Sequence, residues 1–313
     1  MLPLEQEYNM RLSTLLNGFA TASAGALLAT TAFAQQSLEI IGHPVAQGMG
    51  FQPAVTEVAR EVHDLDHMLL IIITVISVFV TGLLVWVMWR YSAKRNPNPA
   101  SFTHNSPLEV AWTIVPIVIL VFIGAFSLPV LYKQMEPPAA DLVVKVVGNQ
   151  WYWNYEYPDV KMADDETTTL AFDSFLIGSD LVLNADVEAQ LVAAGYSKNE
   201  FLLATDTAMV VPVNKNVVVQ LTGADVIHGW MMPALGVQSS AVPGRLNQVW
   251  FNAEKEGIYF GQCSALCGKN HAYMPITVKV VSQAAYDAWV LKAQGGDVVF
   301  SALPAPMDVA AAD

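Results

Sequence analysis

The sequence has few cysteines and few basic residues. Only two cysteines, Cys263 and Cys267, occur among its 313 residues, which excludes a framework of several disulfides. Fifteen Lys and Arg stand against 28 Asp and Glu, a formal net charge of −13 that argues against nucleic acid as a partner. Charged residues make up only 14% of the chain and hydrophobic ones 54%, which indicates apolar segments beyond those of an ordinary soluble domain.

The first part of the chain, residues 1–34, is typical of a secretory signal peptide. Arg11 provides a basic region, a weakly apolar run follows, and the small residues of Ala32-Phe33-Ala34 allow cleavage after them. A short first membrane helix is the alternative, and Met10 is an alternative start. We predict that residues 35–67 then form an extracytoplasmic segment.

Two uncharged runs, residues 68–88 and 110–132, are each long enough to cross a membrane as a helix, which takes about 20 residues. In lipid the backbone must satisfy its own hydrogen bonds, so helix is the expected conformation. The linker, residues 90–109, carries three basic residues and one acidic residue. Because cytoplasmic linkers carry the excess of Lys and Arg, we predict a transmembrane hairpin over residues 68–132 with both ends outside.

The chain from Lys133 onward is acidic, with ten Lys and Arg against twenty Asp and Glu. Such acidity either keeps the outer surface soluble or steers a basic partner towards it. The composition alone leaves both interpretations open.

The same region is rich in short β-branched or alternating runs separated by turn residues. The predicted strands are 141–147, 167–172, 208–213, 216–222, 248–252, 257–260 and 274–281. Strands of this length and spacing predict a β-sandwich or barrel, which we place at residues 133–294. A helix-like patch at 187–194 lies in an insertion, and Ser282 can cap a closing helix at 283–294. We expect a flexible tail at 295–313.

The segment from Cys263 to Met274 combines thiolate, imidazole and thioether groups, a soft ligand set that selects copper over magnesium, calcium or manganese. Cys267, His271 and Met274 have the close spacing of a mononuclear copper loop, for which His228 can supply a second imidazole. Cys263 exceeds what such a site needs. Two thiolates can instead bridge two copper ions, each with one histidine and one weaker ligand.

Three other interpretations of these residues remain open. The two cysteines can form one disulfide with each other. They can also join His228 in a structural zinc site, although methionine is a poor zinc ligand. In the third, a single copper ion uses Cys267 and leaves Cys263 unused.

Five motifs support a family resemblance, and they lie at residues 102–109, 112–116, 150–157, 242–245 and 261–274. With them the chain resembles subunit II of proteobacterial cytochrome c oxidases, which are heme–copper oxidases, over essentially its whole length after the signal. The resemblance implies a membrane-anchored all-β protein. Its two N-terminal transmembrane helices would form a hairpin, followed by a cupredoxin-like β-sandwich or barrel.

The resemblance also implies a binuclear copper centre, CuA. Its ligands by matching position are the side chains of His228, Cys263, Cys267, His271 and Met274 and the backbone carbonyl of Ala265. Trp151 matches the tryptophan through which electrons enter, although the aromatic run that it begins is also typical of a strand packed on one face. Glu109 matches a carboxylate at the mouth of a proton-uptake path, although a carboxylate also stabilises a helix start.

The chain departs from this family at two places. Relatives commonly have glutamate where Ala265 stands, and its side chain reaches a magnesium or manganese ion at the boundary with subunit I. Such ions prefer hard oxygen ligands, so alanine predicts a weakened site. Ser240 replaces an acid of the surface that docks cytochrome c, while Glu156, Asp159 and Asp225 remain at matching acidic positions.

The resemblance implies a function in respiration. The subunit would accept electrons from cytochrome c at copper and pass them to heme in subunit I, where oxygen is reduced to water with proton pumping. Its partners would be subunits I and III, cytochrome c and membrane lipid. We expect it in the bacterial inner membrane, with the copper domain in the periplasm and the helix linker in the cytoplasm. A copper-free quinol oxidase subunit and a membrane-anchored copper carrier are the alternative functions.

Overall fold

The computed structural model describes residues 38–165 and 167–300. The predicted signal peptide, residues 1–34, lies outside this part of the chain. Residues 301–313 of the predicted tail lie outside it as well.

The two uncharged runs form helices that extend beyond them at both ends. Helix α1 spans Glu57–Arg90 and helix α2 spans Ser106–Met135. Both are long and apolar enough to cross a membrane. The linker between them is therefore shorter than predicted, because Arg90 still belongs to α1. Most apolar side chains of the two helices point outwards, and α2 has no buried residue, which leaves its surface to lipid or to other subunits.

The rest of the described chain is mainly strand, in two sheets. The first sheet has the order β5-β11-β10-β7-β8, with β1 paired to β10, and the second has the order β4-β3-β2-β6-β9. The strands are β1 (Ile40–Gly42), β2 (Leu142–Asn149), β3 (Tyr152–Lys161), β4 (Thr169–Ser174), β5 (Met209–Pro212), β6 (Asn216–Gly223), β7 (His228–Met232), β8 (Val237–Ala241), β9 (Asn247–Asn252), β10 (Gly257–Cys263) and β11 (Pro275–Val281). Every predicted strand overlaps one of these.

The hydrophobic core lies between the two sheets and draws on both of them. Strand β3 supplies Trp153, Tyr155 and Tyr157, whose side chains are fully buried. They occupy alternate positions and therefore share one face, as expected for the packing interpretation of the aromatic run. Strands β1, β7 and β8 were not predicted, because β1 has only three residues, β7 is short and contains a glycine, and β8 is largely polar.

Two helices accompany the sandwich. Helix α3, Ala185–Ala193, forms the predicted helical patch of the insertion, and helix α4, Gln283–Gln294, has the predicted bounds and is capped by Ser282. The residues that follow α4 stay bound to the domain. Trp289 Nε1 donates to the carbonyl of Val298 at 2.9 Å, and Lys279 Nζ donates to that of Phe300 at 2.6 Å. Val298 and Phe300 are thus hydrogen-bonded to the domain, and the flexibility expected from position 295 onward stays a prediction.

The outer ends of the helices are bonded to the sandwich. The Thr56 hydroxyl donates to the carbonyl of Leu235 at 2.8 Å, and Trp250 Nε1 donates to that of Lys133 at 2.9 Å. Lys133 Nζ also lies 2.7 Å from Glu61 Oε1, which ties α2 to α1. These contacts fix the sandwich directly on the hairpin.

Candidate metal centre

The predicted ligand loop closes the hairpin between β10 and β11. The last paired residues of the two strands are Gln262 and Pro275, so the chain between them must turn back within the loop. A short 3₁₀ turn, His271–Tyr273, completes the reversal. The loop thereby returns the end of the motif to its first cysteine.

His228 reaches the loop from the neighbouring strand. Strand β7 runs antiparallel to β10 and pairs Trp230 with Cys263, which places the start of β7 beside the cysteines. The His228 side chain is fully buried. One ligand atom each from His228, Cys263 and Cys267 lies within 4.8 Å of the others.

The other predicted ligands each lie close to one of the two cysteine sulfurs. Cys267 Sγ lies 3.6 Å from His271 Nδ1 and 3.4 Å from Met274 Sδ. Cys263 Sγ lies 3.3 Å from the carbonyl oxygen of Ala265. All the predicted ligand groups therefore meet in one place.

The two cysteines are free and buried, with their sulfurs 3.8 Å apart. Burial raises the pKa of Cys263, but the neighbouring His228 ring and the backbone N–H groups of Gly229 and Ala265 outweigh this effect and lower it. Burial and the neighbouring Cys263 sulfur raise the pKa of Cys267. A negative charge on one sulfur therefore opposes ionisation of the other, and a bound cation would stabilise both thiolates.

The His228 ring is held by Asp225. Its Nε2 lies 2.8 Å from Asp225 Oδ1, whereas its buried Nδ1 has no hydrogen-bond partner in the described part of the chain. Burial raises the pKa of Asp225, but the bond to His228 and two backbone N–H groups lower it overall, so the carboxylate is charged at neutral pH. Buried polar atoms normally have a hydrogen-bond partner. The Nδ1 atom of His228, which lacks one in the described part of the chain and lies beside two thiols, is therefore a candidate metal ligand.

Two glycines allow the close packing of this site, and neither was predicted to lie in it. A Cβ on Gly148 would lie 2.8 Å from carbon atoms of the His228 ring, and one on Gly229 would lie 2.8 Å from the backbone nitrogen of Ala265. Both distances are shorter than van der Waals contact. A glycine inside a strand is a signal of such close approach.

Two tryptophans contact the loop in different ways. Trp151 is partly exposed, and its Nε1 lies 3.3 Å from the carbonyl of Cys267, which also accepts from Gln150 Nε2 at 2.7 Å. Trp153 is fully buried, donates to the carbonyl of Met274 at 3.3 Å, and packs edge-on against His228. Trp151 therefore connects the surface to a cysteine, whereas Trp153 supports the ligands from the core.

The other predicted site residues lie outside the metal cluster. Glu109 is in the first turn of α2, where its Oε1 accepts from the backbone of Asn105 at 3.2 Å and closes the helix cap. Glu156 Oε2 lies 2.8 Å from Lys145 Nζ, and this ion pair lowers the pKa of Glu156. Asp159 is exposed on the same strand, β3.

Comparison with known proteins agrees with this architecture. The family model for the cytochrome c oxidase subunit II transmembrane domain matches residues 44–130, and the model for its periplasmic domain matches residues 142–281. The chain belongs to the cytochrome c oxidase subunit II family. It is 61% identical to cytochrome c oxidase subunit 2 of Cereibacter sphaeroides over 95% of this chain and 97% of that protein.

More distant relatives belong to the same family. Probable cytochrome c oxidase subunit 2 of Rickettsia bellii is 43% identical over 79% of this chain and 84% of that protein. A crystal structure of the periplasmic domain of subunit II of cytochrome oxidase from Bradyrhizobium japonicum is 44% identical. It covers 51% of this chain and 99% of that domain, with a TM-score of 0.42.

Membership in the cytochrome c oxidase subunit II family confirms the fold and the function predicted from the motifs. The chain is a membrane protein with two transmembrane helices followed by a periplasmic β-sandwich, and it is subunit II of a cytochrome c oxidase. The cluster of His228, Cys263, Cys267 and Met274 is consistent with the copper site of this family.

Proposed function

We propose that this site holds two copper ions and that the subunit accepts electrons there from cytochrome c, for transfer to the heme of subunit I. Oxygen reduction to water and proton pumping then take place in the partner. The observation that carries the proposal is the pair of free, buried thiols 3.8 Å apart, because a single copper ion has no use for the second one. A bridged copper pair, when bound, takes up one electron and shares it between both ions.

The donor set supports two ions with one imidazole and one weaker ligand each. His271 and Met274 would hold the pair beside Cys267, the carbonyl of Ala265 would hold it beside Cys263, and the buried Nδ1 of His228 would supply the second imidazole. All of these donors are soft or neutral, which favours copper over hard cations. The same division of ligands weighs against a structural zinc site, because Met274 would have no function there.

The experiment that tests this proposal measures the metal content of the full chain purified in detergent and supplied with copper. We expect two copper ions per chain and an electron paramagnetic resonance spectrum in which one unpaired electron couples equally to two copper nuclei. One copper ion with the blue absorption of a mononuclear site, or no bound copper, would contradict the proposal.

Electrons reach the site through Trp151 in this proposal. Its indole is partly exposed at the surface and hydrogen-bonds to the carbonyl of Cys267, so it joins an external donor to a thiolate ligand in a single step. Trp153 lacks access to the surface and supports the ligands instead.

The donor that we propose is a basic cytochrome c docking near Glu156, Asp159 and Asp225. The net negative charge of the outer domain supports attraction of such a partner over long distances. The acidic charge is partly balanced, because Glu156 is paired with Lys145, and Lys269 Nζ lies 5.9 Å from the centre of the Trp151 ring. We therefore expect docking to depend on salt mainly through its association rate.

The two membrane helices support the proposal for the remaining partners. The outward-facing apolar side chains of α1 and α2 suit contact with subunits I and III and with lipid in the bacterial inner membrane. The basic linker then lies in the cytoplasm and the β-sandwich in the periplasm. Glu109 would stand at the cytoplasmic end of α2, where we propose that it opens a proton-uptake path in addition to capping the helix.

A magnesium or manganese site at the boundary with subunit I does not fit the residues present here. Ala265 offers only a methyl group, and the neighbouring Ser264 hydroxyl lies 3.1 Å from the amide nitrogen of Gln238. Hydroxyl and amide groups are neutral, whereas such ions bind chiefly to carboxylates and water. We infer that this site is weakened in the assembled oxidase.

The substitution Ala265→Glu is expected to increase manganese binding by the purified oxidase, because it adds a carboxylate and keeps the backbone carbonyl. Manganese resonance spectra after growth in manganese would measure the gain. Ala272→Glu, at an exposed alanine of the same loop, is the control for added charge. Stoichiometric manganese of ordinary affinity in the unsubstituted oxidase would show that the inference is wrong.

A further inference from the structure

Asp225 stands at the junction of three parts of the copper site. Its carboxylate accepts from His228 Nε2 at 2.8 Å, from the backbone N–H of Gln150 at 2.8 Å and from that of Val226 at 2.6 Å. These three contacts occupy most of the lone pairs of the two carboxylate oxygens. The side chain is still 35% exposed, so part of it faces solvent. A carboxylate used only for docking would have no need of them.

The contact with His228 determines which ring nitrogen is available to a metal. A neutral imidazole has one N–H donor and one lone-pair acceptor. If Nε2 carries the proton and donates it to Asp225, the lone pair lies on Nδ1, which is the buried nitrogen without a partner. A carboxylate in this position also increases the electron donation of the ring to a bound metal.

The contact with Gln150 connects Asp225 to a second ligand residue of the site, Cys267. The backbone of Gln150 donates to Asp225, and its side-chain amide donates to the carbonyl of Cys267 at 2.7 Å. The next residue is Trp151, whose indole reaches the same carbonyl. One carboxylate thus links His228, Cys267 and the proposed path of electron input.

We propose that Asp225 is a positioning residue of the copper centre, which fixes the tautomer and orientation of His228 and tunes the potential of the bound metal. This inference rests on the proposed function, because it presumes copper on His228. It assigns to Asp225 an effect on the centre that is independent of any donor protein. A role in docking alone predicts no such effect.

The test uses the full chain in detergent, loaded with copper, with no cytochrome present. We expect Asp225→Ala to lower copper affinity about 10- to 100-fold, the usual cost of losing such a partner of a metal-bound histidine. The reduction potential should rise, because a negative charge that favours the oxidised metal is lost. Asp225→Asn should raise the potential too but lose less affinity, since its amide oxygen can still accept from His228. Asp180→Asn, at an exposed aspartate of the insertion, is the matched control and should change neither.

Each outcome separates the possible roles of Asp225. Unchanged affinity, potential and resonance spectrum in both Asp225 variants, together with slower and less salt-dependent reduction in a separate assay with cytochrome c, would overturn the inference and leave docking as the role. A poorly folded Asp225→Ala chain would leave the decision to the potential of Asp225→Asn. Failure of the unsubstituted chain to bind a copper pair would instead refute the proposed function.

Discussion

Substitution of Cys263 by serine is expected to abolish the binuclear centre and with it the oxidation of cytochrome c by the assembled oxidase. Serine is nearly isosteric with cysteine, so the buried position at the end of β10 should still pack. Its hydroxyl, however, is not a thiolate and cannot bridge two copper ions. The variant retains Cys267, His271, Met274 and His228, which form at most a mononuclear set. We expect no more than one copper ion per chain and the loss of the shared-electron spectrum.

Metal analysis and resonance spectra of the purified oxidase measure this effect, and turnover with cytochrome c measures its consequence. Ser264→Ala is the control, because it changes the adjacent residue but removes no proposed ligand. Two copper ions and normal turnover in the Cys263→Ser variant would show that the second thiolate is not a bridging ligand.

The substitution Trp151→Phe should slow reduction of the oxidase by cytochrome c by more than an order of magnitude while leaving the copper content and spectrum intact. Phenylalanine lacks the indole N–H that lies 3.3 Å from the carbonyl of Cys267, and its ring is smaller and harder to oxidise. The side chain is partly exposed and a single hydrogen bond contributes only about 0.5–1.5 kcal/mol, so little stability should be lost. Stopped-flow mixing of reduced cytochrome c with the oxidase measures the rate directly.

Trp250→Phe is the matched control for this prediction. The Trp250 indole also donates to a backbone carbonyl, that of Lys133, but at the junction with the membrane helices. It should leave the rate of electron input unchanged. Equal rates in both variants and the unsubstituted oxidase would place the path of electrons elsewhere.

Much of the architecture could be predicted from local features of the sequence. The membrane helices follow from uncharged runs, and helix α4 follows from a serine cap and a closing glycine pair. Most strands follow from alternating or β-branched runs. Strand β7 could not be found in this way, because its five residues include a glycine and no β-branched residue.

The side-chain partners of the acidic residues could not be predicted from the sequence. Glu156, Asp159 and Asp225 are alike in the sequence as acids at matching positions. In the structure Glu156 is paired with Lys145 across two strands, Asp159 is exposed, and Asp225 holds the ring of His228. The Glu156 pair depends on the register of β2 with β3, and the Asp225 contact depends on the turn that leads into β7, and a single sequence specifies neither.

The ligand loop was determined by the sequence itself, because Cys263, Cys267, His271 and Met274 are close along the chain and a short turn suffices to gather them. Only the tertiary structure decided the rest of the centre. Pairing of β7 with β10 delivers His228, and the turn after β2 delivers Trp151 from the opposite sheet. The physical reason is that ligand chemistry follows from residue type and spacing, whereas the orientation of each ligand depends on hydrogen bonds and close packing between segments far apart in the chain.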